Sequence, residues 1–257
     1  MIKIDRHNFP PKDVYINVKN VGKHRWRCLE NKVLIDFNNH PEKFRDGTYV
    51  FPKHPSYDIW REELLTKQGH KCCYCEKSID KGELEHFRPK NGYKQQKGSS
   101  LTYPGYYWLA YRWKNLLLSC GECNDSARKG NLFPIGGIRA QNQRSSLNAE
   151  LNHLINPYEE TPNDSISFYK YSPISKNGRG RLTIDVFELD KRIDLKTERE
   201  RAFATYESLS LLIKHKHLLP DNIQDKIAEA EERIKIAMKK KSPFSGMIRE
   251  NVEKGLL

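Results

Sequence analysis

Cys72 and Cys75 form one Cys-x-x-Cys pair, Cys120 and Cys123 form another, and 44 residues separate the two. Inside that gap stand Glu85-His86 and Asn115, and Asn124 follows the last cysteine directly. Two such pairs can place four thiolates tetrahedrally around one zinc, which would then be saturated and structural. The same spacing also admits two unrelated buried pairs or redox thiols. A closed zinc would fasten two stretches of chain together and hold the His-Asn-Asn set at their junction. Cys73 falls inside the first knuckle as a bystander, and Cys28 reads as a small core residue.

Glu85, His86 and Asn124 suggest a second chemistry. Hydrolysis of a phosphodiester needs a base to take a proton from water, and a neutral imidazole with a pKa near ~6.5 can do so. It also needs a cation to balance charge on the phosphate and the departing oxygen. A hard divalent ion such as Mg2+ or Mn2+ takes oxygen ligands and needs only one or two from the protein. Glu85 and the side-chain carbonyl of Asn124 are the available oxygens. Without its neighbours, His86 would more simply be a structural histidine. Adjacent strand residues point to opposite sides, so a bend near Pro89 would be needed to bring Glu85 and His86 to one substrate.

The elements that position these residues can be read from periodicity and breakers. Tyr57, Ile59, Trp60, Leu64 and Leu65 recur at helical spacing, and Gly69 ends that helix before the first knuckle. Glu83 to Arg88 reads as a strand stopped by Pro89, and Leu116-Leu117-Leu118 as a buried strand entering the second knuckle. Asn124 to Lys129 is expected to open a short helix. Strands are also expected at Val33-Leu34-Ile35, 165–171 and 181–186, and helices at 195–216, 221–241 and 244–254. The aromatic run Tyr103, Tyr106, Tyr107, Trp108, Tyr111 and Trp113 is most simply core, with stacking on an unpaired base as the alternative.

The resulting expectation is an α+β protein. Residues 1–53 form an irregular lead-in, 54–135 the knuckle-bearing core, and 136–257 a mixed and then helical region for scaffolding or partner docking. The 257-residue chain is 37% hydrophobic and 30% charged, as suits a soluble globular protein, and its net charge of +12 favours polyanionic partners. Between Lys71 and Asn131 there are 11 Lys or Arg against 6 Asp or Glu, so the core is itself basic. No apolar run approaches the ~20 residues of a membrane span, and Met1–Arg6 has no signal-peptide core; the expected location is the cytoplasm.

The order Cys-x-x-Cys, Glu-His-Phe-Arg-Pro, then Asn-Leu-x-x-x-Cys-x-x-Cys-Asn-x-x-x-x-Lys-Gly resembles the HNH, or ββα-metal, endonucleases in their zinc-knuckle branch. That resemblance implies His86 as general base, Asn115 as organiser of the loop or base, and Glu85 with Asn124 as ligands of a catalytic metal. It also implies Cys72, Cys75, Cys120 and Cys123 as the structural zinc clamp. Glu85 stands where Asp is commoner, Asn124 stands where His is commoner, and 28 residues separate His86 from Asn115, a longer insert than a minimal motif requires.

Ile79–Lys90, the aromatic run at 106–115, Lys129-Gly130 with Phe133-Pro134, Ile155-Asn156-Pro157 and Ser242-Pro243-Phe244 look like the PtuB-type nucleases, the HNH effectors of Septu and some retron anti-phage systems. This implies a PtuA-type ATPase partner and DNA as substrate, with RNA, including tRNA, as the alternative. Arg88, Lys90, Arg128 and Lys129 are the candidate phosphate-binding residues, against a solvated loop for the first two. A rival from another class is a non-catalytic zinc module that binds nucleic acid or a partner protein and has no use for His86.

Overall fold

Leu116, Leu117 and Leu118 are wholly buried, and a run apolar on both faces makes a short interior strand. The computed structural model describes residues 1, 3–5, 15–18, 22–25, 27–53 and 57–257, with backbone alone for 15–18, 22–25, 27, 28 and 221. Two units partition the chain: Asp5–Thr66 with Lys81–Leu154, and Met1–Ile4 with Lys67–Asp80 and Ile155–Leu257.

The first unit opens with an antiparallel pair, β1 (Tyr15–Val18) and β2 (Gly22–Arg25), then α1 (Arg27–Asn39), α2 (Pro41–Arg45) and α3 (Tyr57–Gln68). Val33-Leu34-Ile35 is helical, within α1, rather than a strand. Glu30 and Val33 are buried on α1, and Phe37 one turn on stacks on Tyr107 at 4.1 Å. That 3–4 spacing outweighs the β-propensity of Val and Ile, leaving Ile35 57% exposed. Pro41, which interrupts α1, serves as a first-turn proline of α2. On α3, Trp60 is buried edge-on against Trp113 at 5.7 Å. Tyr106, Tyr107, Trp108, Tyr111 and Trp113 are all buried, as the core reading of the aromatic run expects.

The same unit carries β3 (Glu83–His86), paired antiparallel with β4 (Leu116–Ser119), followed by α4 (Gly121–Asn124). This is a strand–strand–helix order. The expected helix over 124–129 is displaced: α4 ends at Asn124, because the Asp125 side chain accepts the Ala127 N–H at 2.8 Å and turns the chain.

The second unit contains the hairpin β5 (Ile166–Tyr169) and β6 (Ser172–Ser175), then α5 (Gly178–Phe187), α6 (Ile193–Lys214), α7 (Gln224–Ala237) and α8 (Ser245–Glu253). Residues 181–186 are helical rather than a strand. Asn177 caps α5 by accepting the Gly180 N–H at 2.9 Å, and Gly180, Thr183, Ile184 and Phe187 are buried at helical spacing. The helices expected for the final third are present as α6, α7 and α8. Gly69 takes φ +69°, and a Cβ there would lie 2.3 Å from the Lys241 carbonyl oxygen, so glycine alone fits.

Within this unit Lys71 is buried, its Nζ 2.7 Å from Glu76 Oε1 and 2.9 Å from Ser245 Oγ. Burial alone would raise the Glu76 carboxyl, but Lys71 leads the attractions that hold it well below its ordinary range. Tyr74, between these two residues, stacks on Phe187 at 4.0 Å. The first cysteine pair therefore sits on a turn braced at both ends. Among the described residues no helix is long and apolar enough to cross a membrane.

Candidate active site and cysteine cluster

Each cysteine pair is shaped by its own backbone. The Cys72 N–H bonds Lys77 O at 2.9 Å and the Glu76 N–H bonds Cys72 O at 3.1 Å, closing the first knuckle. Cys120 leads into α4 and Cys123 lies within it, with the Asn124 N–H bonded to Cys120 O at 3.1 Å. The Sγ atoms of Cys72, Cys75, Cys120 and Cys123 lie within 4.8 Å of one another, and all four residues are buried. Four buried thiol groups at that spacing suit a tetrahedral zinc with no open position. Cys73, also buried, is outside the set. The Cys28 side chain lies outside the described residues.

The register of β3 and β4 pairs Glu83 with Ser119, Glu85 with Leu117, and His86 with Leu116. Alternation along β3 sets Glu83 and Glu85 on one face and Leu84 and His86 on the other. His86 is half-buried at the strand end, its Nε2 2.8 Å from the Ala110 carbonyl oxygen. A carbonyl only accepts, so Nε2 carries the proton and Nδ1 holds the basic lone pair. Burial, with the charges of Lys90 and Lys129, lowers the His86 pKa to about 3, against the pull of the Ala110 bond. The imidazole is accordingly neutral at neutral pH.

Glu85 is buried on β3. Its carboxylate lies 2.8 Å from Lys129 Nζ in an ion pair whose side chains are 5% and 0% exposed. Lys129 is thus engaged with a buried carboxylate. The Asn124 side chain donates from Nδ2 to Glu83 Oε2 at 2.8 Å. Glu83, two residues before Glu85, was not singled out by the sequence; its only signal there is the i, i+2 spacing that puts two carboxylates on one strand face.

Asn115 is buried and grips the chain beyond His86. Its Oδ1 accepts the Arg88 N–H at 2.8 Å, and its Nδ2 donates to Arg88 O at 2.9 Å and Leu109 O at 3.2 Å. The Arg88 side chain turns inward, with Nε 2.8 Å from Glu150 Oε2 and the guanidinium over the Phe133 ring at 5.3 Å. The Arg88 guanidinium is thus packed inside the unit against a fully buried carboxylate. Glu150, also unmarked by the sequence, accepts from Tyr106 OH at 2.6 Å as well. Tyr106 and Arg88 lie 44 and 62 residues away from it, beyond any local pattern, while the Ala140 N–H also reaches its Oε1 at 3.1 Å. Lys90 is half-buried with its Nζ 5.1 Å from the centre of the Phe51 ring, and burial lowers its pKa. Half-buried Arg128 bonds Glu122 O at 3.0 Å.

Sequence comparison connects this arrangement to named proteins. The chain is 38% identical over 212 residues to the Septu protein PtuB of Bacillus mycoides (strain KBAB4), covering 78% of this chain and 66% of that protein. It is 31% identical over 132 residues to the Septu protein PtuB of Bacillus thuringiensis, covering 50% of this chain and 40% of the relative. A retron Vc95 candidate HNH endonuclease of Vibrio cholerae serotype O1 biovar El Tor is 36% identical over 66 residues, a quarter of this chain and 32% of that protein. The chain thus spans under two thirds of the length of these relatives. No family model and no solved structure matches it. The chain is a homologue of the Septu PtuB proteins and carries the residue pattern of a zinc-knuckle HNH nuclease.

Proposed function

We propose that this protein is an HNH endonuclease that hydrolyses phosphodiester bonds of DNA as the nuclease of a bacterial anti-phage defence complex. The observation that carries the reading is the bond from His86 Nε2 to Ala110 O at the end of a strand–strand–helix unit. It fixes the tautomer that a base needs, with Nδ1 free to take a proton from water. Asn115 supports it by holding the backbone two residues beyond His86. Asn124, on α4, brings a carboxamide to the face of β3 that bears two carboxylates. A divalent ion held there would supply positive charge to the phosphate and the leaving oxygen. Its donor set would be a β3 carboxylate with the Asn124 carbonyl, a hard-oxygen pair that fits Mg2+ or Mn2+. Zinc, held by the four cysteines, would be structural.

The half-buried Lys90 and Arg128 and the net charge of +12 support a nucleic-acid substrate. A PtuA-type ATPase is the proposed partner and the cytoplasm the proposed location, both by relationship to the Septu proteins. RNA remains the second substrate class, because nothing in the base-and-metal chemistry selects the sugar.

The test is cleavage of duplex DNA and of tRNA in Mg2+ or Mn2+, using the chain co-expressed with its neighbouring ATPase and comparing wild type with His86→Ala. The expected result is DNA cleavage by wild type alone. Equal cleavage by the two proteins overturns the mechanism. Nucleic-acid binding without cleavage in either would favour the non-catalytic zinc module, and cleavage of tRNA alone would replace DNA as substrate.

A further inference from the structure

We infer that Lys90 is a further catalytic residue, whose ammonium group meets the non-bridging oxygens of the phosphate attacked by the water that His86 activates. This rests on the nuclease reading above and assigns the protein cation that faces the reacting phosphate. Two ammonium groups act on the His86 imidazole, Lys90 more strongly than Lys129, so both stand beside the base. Lys129 has the Glu85 carboxylate at 2.8 Å. Lys90 is half-buried, and among the described residues its Nζ forms no ion pair and no hydrogen bond. It stands instead 5.1 Å from the centre of the Phe51 ring. That ring is edge-on to Tyr49 at 4.9 Å and to buried Phe44 at 6.2 Å, which fixes it in a packed cluster. An aromatic face orients an ammonium group without cancelling its charge. The result is a positive charge partly withdrawn from water and lacking a carboxylate, an arrangement that costs free energy and pulls the Lys90 pKa down. An anion entering beside it offsets that cost, and the anion that the reaction brings to His86 is a phosphodiester.

The backbone holds Lys90 in place from both sides. Pro89 O accepts the Tyr106 N–H at 2.8 Å, and Asn91 O accepts the Gly105 N–H at 2.5 Å. A Cβ on Gly105 would lie 2.6 Å from Pro89 O, so this clamp closes only on a glycine. Just upstream, the Asn115 side chain grips the Arg88 main chain. One fixed segment thus carries the base and, four residues on, the cation. Charge placed in advance stabilises a transition state without reorganisation during the reaction. As the water oxygen bonds phosphorus, its proton passes to His86 Nδ1. The bond from phosphorus to the departing oxygen breaks, and its electron pair leaves with that oxygen. Lys90 keeps its proton throughout and stabilises the negative charge on the non-bridging oxygens.

The experiment is single-turnover cleavage at saturating protein, with the chain co-expressed with its neighbouring ATPase, on whichever of duplex DNA and tRNA wild type cuts. Thermal melting of the zinc-loaded chain runs beside it. Lys90→Met keeps the length of the side chain and removes its charge. It should cut at least ~100-fold more slowly, with nucleic-acid affinity within about 3-fold of wild type and a melting temperature no lower. Lys90→Arg restores the charge and should recover at least ~10-fold of that loss. A merely structural lysine gives the reverse pattern, a lower melting temperature with cleavage per folded molecule unchanged, and that result overturns the assignment. Cleavage by Lys90→Met within about 3-fold of wild type also overturns it, and the nuclease reading still stands if His86→Ala is inactive. Equal cleavage by wild type and His86→Ala, or no cleavage by wild type, removes the nuclease reading and this assignment with it.

Discussion

Asn115 pairs with the Arg88 backbone as another strand would: Oδ1 accepts the N–H at 2.8 Å and Nδ2 donates to the carbonyl at 2.9 Å. Phe87 lies between them and His86, and its N–H bonds Asn115 O at 2.9 Å, so main chain and side chain of one asparagine hold two successive residues. The position of His86 therefore depends on a residue 29 places further along the chain than itself.

Removing that grip should cost stability and position together. Asn115→Ala leaves the Arg88 N–H and C=O without partners in a buried setting, an expected loss of ~1–3 kcal/mol for each such group. Asn115→Asp keeps the acceptor but loses both donations and should fall between wild type and alanine. Urea unfolding reads the first effect. Cleavage per folded molecule reads the second, and it should fall further than stability accounts for.

His86 carries a pH signature with a definite sign. Its folded pKa is lowered to about 3, below the ordinary ~6.5 of the unfolded chain. Between those values the unfolded chain takes up a proton that the folded chain refuses, so acidification across that window favours unfolding. The contribution is fully present above pH ~6.5 and declines as pH falls toward 3. His86→Asn removes this slope, and its stability relative to wild type should rise between pH 7 and pH 5. Urea midpoints at the two pH values check it; parallel shifts in both proteins would count against a neutral His86.

Arg88 and Arg128 should separate cleanly. Arg88→Gln leaves the Glu150 carboxylate buried without its charge partner, an expected loss of ~3–5 kcal/mol of stability, while the salt dependence of nucleic-acid binding is unchanged. Arg128→Gln should leave the fold intact and reduce the slope of log affinity against log salt by about 1. Binding titrations at several salt concentrations, beside urea melts, distinguish the two.

Cys120→Ser removes one thiolate from the four-sulfur group and should lose the metal and much of the folding free energy that comes with it. Zinc content per chain and the urea midpoint should fall together. A zinc-free variant as stable as wild type would rule out a structural metal there.

The sequence alone determined the chemistry-bearing residue types and most of the elements that hold them. The cysteine spacing, the helix before Gly69, the strands read at 83–88 and 116–118 and the three C-terminal helices are all local patterns, and local patterns survive folding. The 33–35 and 181–186 segments escaped because β-branched residues there also fit a helix face, and burial every third or fourth residue decided the matter. Only tertiary structure settled where charges ended up. Lys129 and Arg88 look like free cations in a basic stretch, yet each meets a carboxylate that lies 44 or 62 residues away in the chain. An ion pair forms wherever folding excludes water from both partners, and no spacing rule along the chain records where that will be.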